Sequence, residues 1–238
     1  RYVIKQDSAP SAPISGIDYH ATLNEEQYAA VSSEPGAALV IAGAGSGKTR
    51  TLTYRVAWLL DHGTDPWNIL LLTFTNKAAR EMTERVRALI PIDLSRLWSG
   101  TFHSIANRIL RQHADYLGYT PAFTIMDSDD RKSMIKSIVK ALKLDEKSSR
   151  FPKPEVLSSL FSLADNEGAG IQETLENAYP YLSNHLDAIL DVHEQYVLRK
   201  QETNSMDFDD LLLNVVRLFQ EQEHLSALYG ARFHHILV

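Results

Sequence analysis

An α/β fold with a parallel sheet, interrupted by an all-helical insert, is the architecture this sequence predicts. Three observations lead there. Short apolar runs alternate with helical periods from Leu23 to about Tyr116, and the alternation returns after Asp207. Between about Pro121 and Met206 the apolar positions keep a helical period and no convincing strand intervenes. At 238 residues the chain has length for one large domain or two modest ones.

Residues 1–20 contain Ser8-Ala9-Pro10-Ser11-Ala12-Pro13 without periodicity and read as a flexible leader. The chain starts at Arg1 with no signal-peptide pattern, so it is expected to be trimmed. Over residues 21–113 buried strands are expected at Ala38–Ala42, Ile69–Thr73 and Leu97–Thr101. Helices are expected at Asn24–Ser32, Lys48–Leu60, Lys77–Ile90 and His103–Tyr116. The insert spans 114–206. There Asp127-Ser128-Asp129-Asp130 caps a helix that carries Met134, Ile135, Ile138, Val139 and Leu142 on one face. Pro152 and Pro154 open a second helix, and His185–Arg199 forms a third. Residues 207–238 rejoin the sheet through a helix ending near Phe219 and a strand at His235–Val238. A smaller, separate helical domain is the competing organisation.

Composition excludes some chemistry. Cysteine is absent, which rules out disulfides and thiolate zinc sites and fits a reducing cytoplasm. The longest apolar runs, such as Leu39-Val40-Ile41-Ala42, are too short to span a bilayer. The formal net charge is −6, yet Lys48–Arg111 holds ten Lys/Arg against five Asp/Glu. That stretch is +5 and the remainder −11, an asymmetry that permits a nucleic-acid partner without demanding one.

The strongest chemical signal is Ala42-Gly43-Ala44-Gly45-Ser46-Gly47-Lys48-Thr49, between an apolar run and a helix. Polyphosphate needs several backbone N–H groups converging on one anion, which requires glycines that turn tightly. The helix that follows points its positive end at the phosphates. Lys48 would reach the β and γ phosphates and the Thr49 hydroxyl would bind Mg²⁺. Ala42 stands where the strict pattern has glycine, a minor departure because Gly43, Gly45 and Gly47 keep the backbone permissive.

Guanine selection is not indicated, since Asn76-Lys77-Ala78-Ala79 lacks the acid of that motif. Gln27 could read the N6 and N7 edge of adenine, although its spacing from Asn24 equally suits a helix capping box. Leu72-Thr73-Phe74-Thr75-Asn76-Lys77 ends a strand in hydroxyls, an aromatic and an amide before a basic helix. Phe74 could stack on a base while Thr73, Thr75 and Asn76 bond phosphate or sugar. Gly100-Thr101-Phe102-His103-Ser104 repeats the pattern at the next strand. Taken singly, each segment is also explained as a strand-to-helix turn with a core phenylalanine.

In order and near wording these segments resemble the first RecA-like domain of superfamily 1 DNA helicases, the UvrD/PcrA/Rep group. The resemblance covers roughly residues 22–238. It rests on Leu23–Gln27, Ala42–Arg50, Leu72–Met82, Gly100–Ser104 and Met206-Asp207-Phe208-Asp209-Asp210-Leu211. It implies a RecA-like P-loop core, with ATP and Mg²⁺ as ligands. Gln27 would lie at adenine, Arg50 beside the base or ribose, and Lys48 and Thr49 at phosphate and metal. Single-stranded DNA would meet Thr73, Phe74, Thr75, Asn76, Lys77, Phe102 and His103. The insert would match an accessory subdomain that contacts duplex or single-stranded DNA. Asp207 would cap a helix, with Asp209 and Asp210 as solvated carboxylates.

The implied parent is an ATP-dependent helicase acting in DNA repair or replication. It would translocate 3′ to 5′ on single strands and at single/double-strand junctions, as a cytoplasmic monomer or weakly self-associating protein. In the family an Asp-Glu pair follows the strand at Phe233–Val238, so a chain ending at Val238 is expected to be inert as a helicase by itself. Two alternatives stay open: a non-catalytic DNA-binding or regulatory module with a P-loop fold, and a P-loop kinase or transferase.

Overall fold

A computed structural model describes residues 14–144 and 151–238. In chain order its first elements are α1 (Tyr19–Thr22), α2 (Glu25–Ser32), α3 (Lys48–Asp61), β1 (Ile69–Thr73), α4 (Asn76–Leu89), β2 (Trp98–Thr101) and α5 (Phe102–His113). Then follow β3 (Thr124–Ile125), α6 (Ser128–Ala141), α7 (Pro154–Glu167), α8 (Ile171–Ala178) and α9 (Leu186–Glu202). The chain finishes with β4 (Ser205–Met206), α10 (Phe208–Glu221), α11 (Glu223–Arg232) and β5 (His235–Leu237). Two units emerge: Arg1–Ile105 together with His224–Val238, and Ala106–Glu223.

The first unit is α/β. Its three strands pair in parallel in the order β2-β1-β5. The register places Leu70 beside Trp98, Thr73 beside Thr101 and Leu71 beside Leu237. All five residues of β1 are buried, as a strand covered on both faces requires. Ile69 and Leu71 share one core with Val56 and Leu60 of α3 and Met82 and Val86 of α4. Those helical positions lie four residues apart, so each helix turns one apolar stripe to the sheet.

Two expectations need correction in this unit. Ala38–Ala42 forms no strand, and Leu39 and Ile41 are 87% and 90% exposed. A strand is a pairing outcome, and an apolar run acquires one only when a neighbour takes up its backbone bonds. The leader expected over residues 1–20 lies outside the described residues as far as position 13. From Ser15 onward the chain is anchored, because the Ser15 N–H and hydroxyl donate to buried Asp61 at 2.7 Å each and the Tyr19 hydroxyl donates at 3.1 Å.

The second unit is mostly helical, with a core built from Ile135, Ile138, Leu157, Phe161, Val192 and Tyr196. It is not all-helical. β3 and β4 pair in parallel, Thr124 beside Ser205 and Ile125 beside Met206. Two-residue strands are shorter than any period the sequence can display. Among the described residues no helix is long and apolar enough to cross a membrane.

Beneath β4 lies a buried ionic network. Lys200 Nζ is 3.2 Å from Asp207 and 2.7 Å from Asp210, and Arg131 Nη1 is 2.6 Å from Asp209. The Tyr196 hydroxyl donates to Asp207 at 2.7 Å. Asp207 caps α10 in a reciprocal box with Asp210. Asp209 and Asp210 are therefore not solvated carboxylates; their side chains are only 16% and 15% exposed and answer two buried cations. Burial opposes ionisation of Asp207, but Lys200 and Arg131 overcome it and hold its carboxyl below the usual range. At Asp210 burial prevails over Lys200 and pushes the carboxyl up.

Asp165 on α7 is pushed up to about 6, first by burial and then by Asp207, Asp210 and Asp209, against the pull of Lys200. A raised folded-state value means that ionisation costs the fold. The contribution of Asp165 to stability is thus greatest below about pH 4, declines as pH rises through about 6, and is level above. Asp165→Asn should raise stability at pH 7.5 by about 1 kcal/mol, since the shift is discounted for partial solvent screening. At pH 4 it should change nothing. Urea midpoints at the two pH values test this, and a variant equally stable at pH 7.5 would refute the assignment.

Candidate functional site

The glycine-rich segment forms an open loop at the start of α3. Ser46 closes a turn on itself, its N–H donating to the Gly43 carbonyl at 3.4 Å and its hydroxyl to the same oxygen at 2.7 Å. Gly45 and Gly47 have φ of +79° and +87°, the left-handed region where a Cβ is strained. Gly47 is also the N-cap of α3, so the first N–H groups of a 14-residue helix open directly from the loop. Ala44, Gly45, Ser46 and Lys48 are all exposed at the site.

Lys48 folds back on this loop. Its Nζ donates to the carbonyls of Ala42 at 3.1 Å and Gly43 at 2.9 Å. Both acceptors are uncharged, so an anion arriving at the loop competes for the ammonium with stronger, charge-assisted bonds. Thr49, next in sequence, is exposed on the first turn of α3. Its hydroxyl is a hard oxygen donor of the kind Mg²⁺ accepts alongside phosphate oxygens and water. Among the described residues no three His, Asp or Glu side chains gather as a metal site.

Two further residues expected at the nucleotide lie against this loop or beside it. Asn24 and Gln27 form a complete capping box on α2, and the Gln27 carboxamide also donates to the Ser46 carbonyl at 3.0 Å. Arg50 donates to the Thr22 carbonyl at 2.9 Å, with its guanidinium 5.1 Å from the Tyr54 ring centroid.

The second group of candidates gathers at the end of the sheet. Because Thr73 pairs with Thr101, the turns that follow β1 and β2 leave the sheet side by side. Phe74 is 94% exposed and Phe102 is 45% exposed, so neither is a core residue. Thr75 caps α4 by accepting from the Ala78 N–H at 3.1 Å, while Asn76 and Lys77 stand exposed on its first turn. Lys77 keeps only a loose 3.8 Å contact with Glu81. His103 is half-buried. Thr73 differs from the others: it is buried and its hydroxyl donates to the Thr75 carbonyl at 3.0 Å, which shapes the turn.

Sequence reasoning passed over one feature here. A cleft of about 520 Å³ runs beside α4, lined by Asn76, Arg80, Thr83, Arg87, Ser99 and Ser104 among others. Arg80 and Arg87 are seven residues apart on one helix face, a spacing visible in the sequence that could have flagged them.

The model of the UvrD/REP helicase N-terminal domain family matches residues 23–238. The chain is 39% identical over 217 residues to the ATP-dependent DNA helicase PcrA of Staphylococcus aureus (strain Mu50), covering 91% of this chain and 29% of the relative. The protein of the same name from Staphylococcus epidermidis (strain ATCC 12228) matches with the same identity and coverage. The chain thus spans about 29% of the length of these curated relatives.

Proposed function

This chain belongs to the UvrD/REP helicase N-terminal domain family, and from that premise we propose that it supplies the MgATP site and part of the single-stranded DNA track of an ATP-driven DNA helicase. The observation that carries the proposal is the open Gly43–Lys48 loop, whose lysine is held by carbonyls that a triphosphate would replace. On this reading the first unit is a RecA-like core and the helical unit an insert within it. The protein would work in the cytoplasm on single strands and their junctions with duplex.

The geometry supports the following roles. Lys48 exchanges its two carbonyl acceptors for β and γ phosphate oxygens, while the N–H groups of the loop and of α3's first turn bond the remaining oxygens. Thr49 would hold Mg²⁺, which when bound neutralises charge on the phosphates. Gln27 and Arg50 would flank the base. Phe74 and Phe102 offer faces for stacked bases, and Asn76, Lys77 and His103 offer donors to the backbone of the strand.

Binding measurements with separable variants test this. Lys48→Ala should weaken MgATP binding about 10- to 100-fold, the worth of charge-assisted hydrogen bonds, and leave oligo(dT) affinity unchanged. Phe74→Ala should weaken oligo(dT) roughly 5- to 100-fold by losing one stack, and leave MgATP unchanged. The oligo(dT) affinity should also fall with salt. MgATP binding that is indifferent to Lys48, or phosphoryl transfer to a small molecule that ignores DNA, would sink the reading.

A further inference from the structure

Gln27 is placed to do more than face a base. Its backbone N–H donates to Asn24 Oδ1 at 2.8 Å, and its Oε1 accepts from the Asn24 N–H at 3.3 Å. One end of the carboxamide is thereby fixed to the start of α2. The other end, Nε2, donates to the Ser46 carbonyl 19 residues away at 3.0 Å. The fit is close: a Cβ on Gly47 would come within 2.8 Å of Nε2.

A planar trans peptide points its C=O and the following N–H in opposite directions. Holding the Ser46 carbonyl toward Gln27 therefore aims the Gly47 N–H the other way, to the far side of the peptide. Glycine by itself does not hold that plane, because Gly47 at φ +87° and Gly45 at φ +79° adopt either hand of backbone at little cost. The carboxamide supplies what the glycines lack. Lys48, bonded to Ala42 and Gly43, holds the opposite end of the same loop.

We propose that Gln27 is a positioning residue which clasps the phosphate loop through Ser46, and so supports polyphosphate binding whether or not a base is attached. The proposal rests on the reading of Gly43–Lys48 as a phosphate site. It makes the cap of α2 and the phosphate loop one mechanical unit, tied by a single side chain.

The test compares magnesium tripolyphosphate, which has no base, with MgATP on the wild-type chain, Gln27→Ala and Gln27→Glu, by titration calorimetry. Glutamate suits the third position of a capping box, so Gln27→Glu keeps α2 folded but cannot donate to the Ser46 carbonyl. Gln27→Ala should weaken both ligands at least about fivefold, the size of one neutral hydrogen bond, and Gln27→Glu should weaken both further, because its carboxylate also repels the anion. In the ligand-free chain both variants should speed amide exchange at Gly45–Lys48. Loss confined to MgATP would show that Gln27 acts only on the base and overturn the proposal. So would wild-type behaviour of Gln27→Glu, or loop exchange as fast in the wild type as in the variants. A wild-type chain that binds neither ligand would remove the phosphate-site reading instead, and the exchange comparison would still decide whether the clasp exists.

Discussion

Lys200→Met is expected to destabilise the helical unit by about 3–5 kcal/mol, the range for breaking a buried ion pair from one side. Lys200 is 4% exposed and serves two carboxylates, Asp207 at 3.2 Å and Asp210 at 2.7 Å. Its ammonium also lies 4.5 Å from the ring centroid of Tyr196, whose hydroxyl donates to Asp207. Methionine fills nearly the same volume, so little of the loss comes from packing. What changes is charge: Asp207, Asp209 and Asp210 would be left with Arg131 as the one cation of the network. The cheapest relief is protonation, which gives the prediction its pH signature. The deficit should be full at pH 7.5 and shrink as the pH falls through the range where these carboxylates take up protons. Adding Asp210→Asn to Lys200→Met should restore part of the loss, because it removes a charge along with its missing partner. Far-UV circular dichroism in urea reads the effect, and hydrogen exchange along α9 and α10 locates it. A loss below 1 kcal/mol, or one independent of pH, would mean that the network does not hold this unit together.

That network also shows where the sequence stops being legible. Asp207 is legible as a helix cap, because capping is local and depends on residue types within a few positions. Asp209 and Asp210 look solvent-facing because no local rule supplies their partners: Arg131 reaches Asp209 across 78 positions of chain and Lys200 reaches Asp210 across 10. The glycine-rich loop was readable for the first reason. Its glycines, lysine and threonine carry their geometry in a single segment. Phe74 and Phe102 leave two readings open in the sequence; their exposure removes the core reading, and the pairing of Thr73 with Thr101 brings both turns to the sheet's end. The bond from Gln27 to Ser46 joins two motifs that were each recognisable, yet no local rule links them. Ala38–Ala42 marks the converse case, where the run is apolar but the strand depends on a partner.

Trp98→Ala should cost the α/β unit a comparable 3–5 kcal/mol, as truncating a buried aromatic does. Trp98 is 2% exposed on β2 and packs edge-on against Phe233 with ring centroids 5.4 Å apart and against Tyr229 at 6.1 Å. The guanidinium of Arg232 is sandwiched between rings, 3.3 Å from the Trp67 centroid and 4.0 Å from that of Trp98. The Arg232 carbonyl meanwhile accepts from Asn68 at 2.8 Å. These contacts join chain segments separated by more than a hundred residues into one unit, and a desolvated cation over an aromatic face adds about 2 kcal/mol to the area term. Trp98→Phe keeps a ring but offers Arg232 a smaller, weaker face, so it should fall between the wild type and Trp98→Ala. All three tryptophans, Trp58, Trp67 and Trp98, belong to this unit, so the fluorescence of the remaining two reports its unfolding directly. The functional consequence follows from β2, which delivers Phe102 to the end of the sheet. Oligo(dT) affinity should fall in Trp98→Ala, while MgATP binding at the Gly43–Lys48 loop should fall less. Urea midpoints unchanged by Trp98→Ala would show instead that β1, α3 and α4 hold the unit without the aromatic layer, and that the exposed turns at the sheet's end do not depend on it.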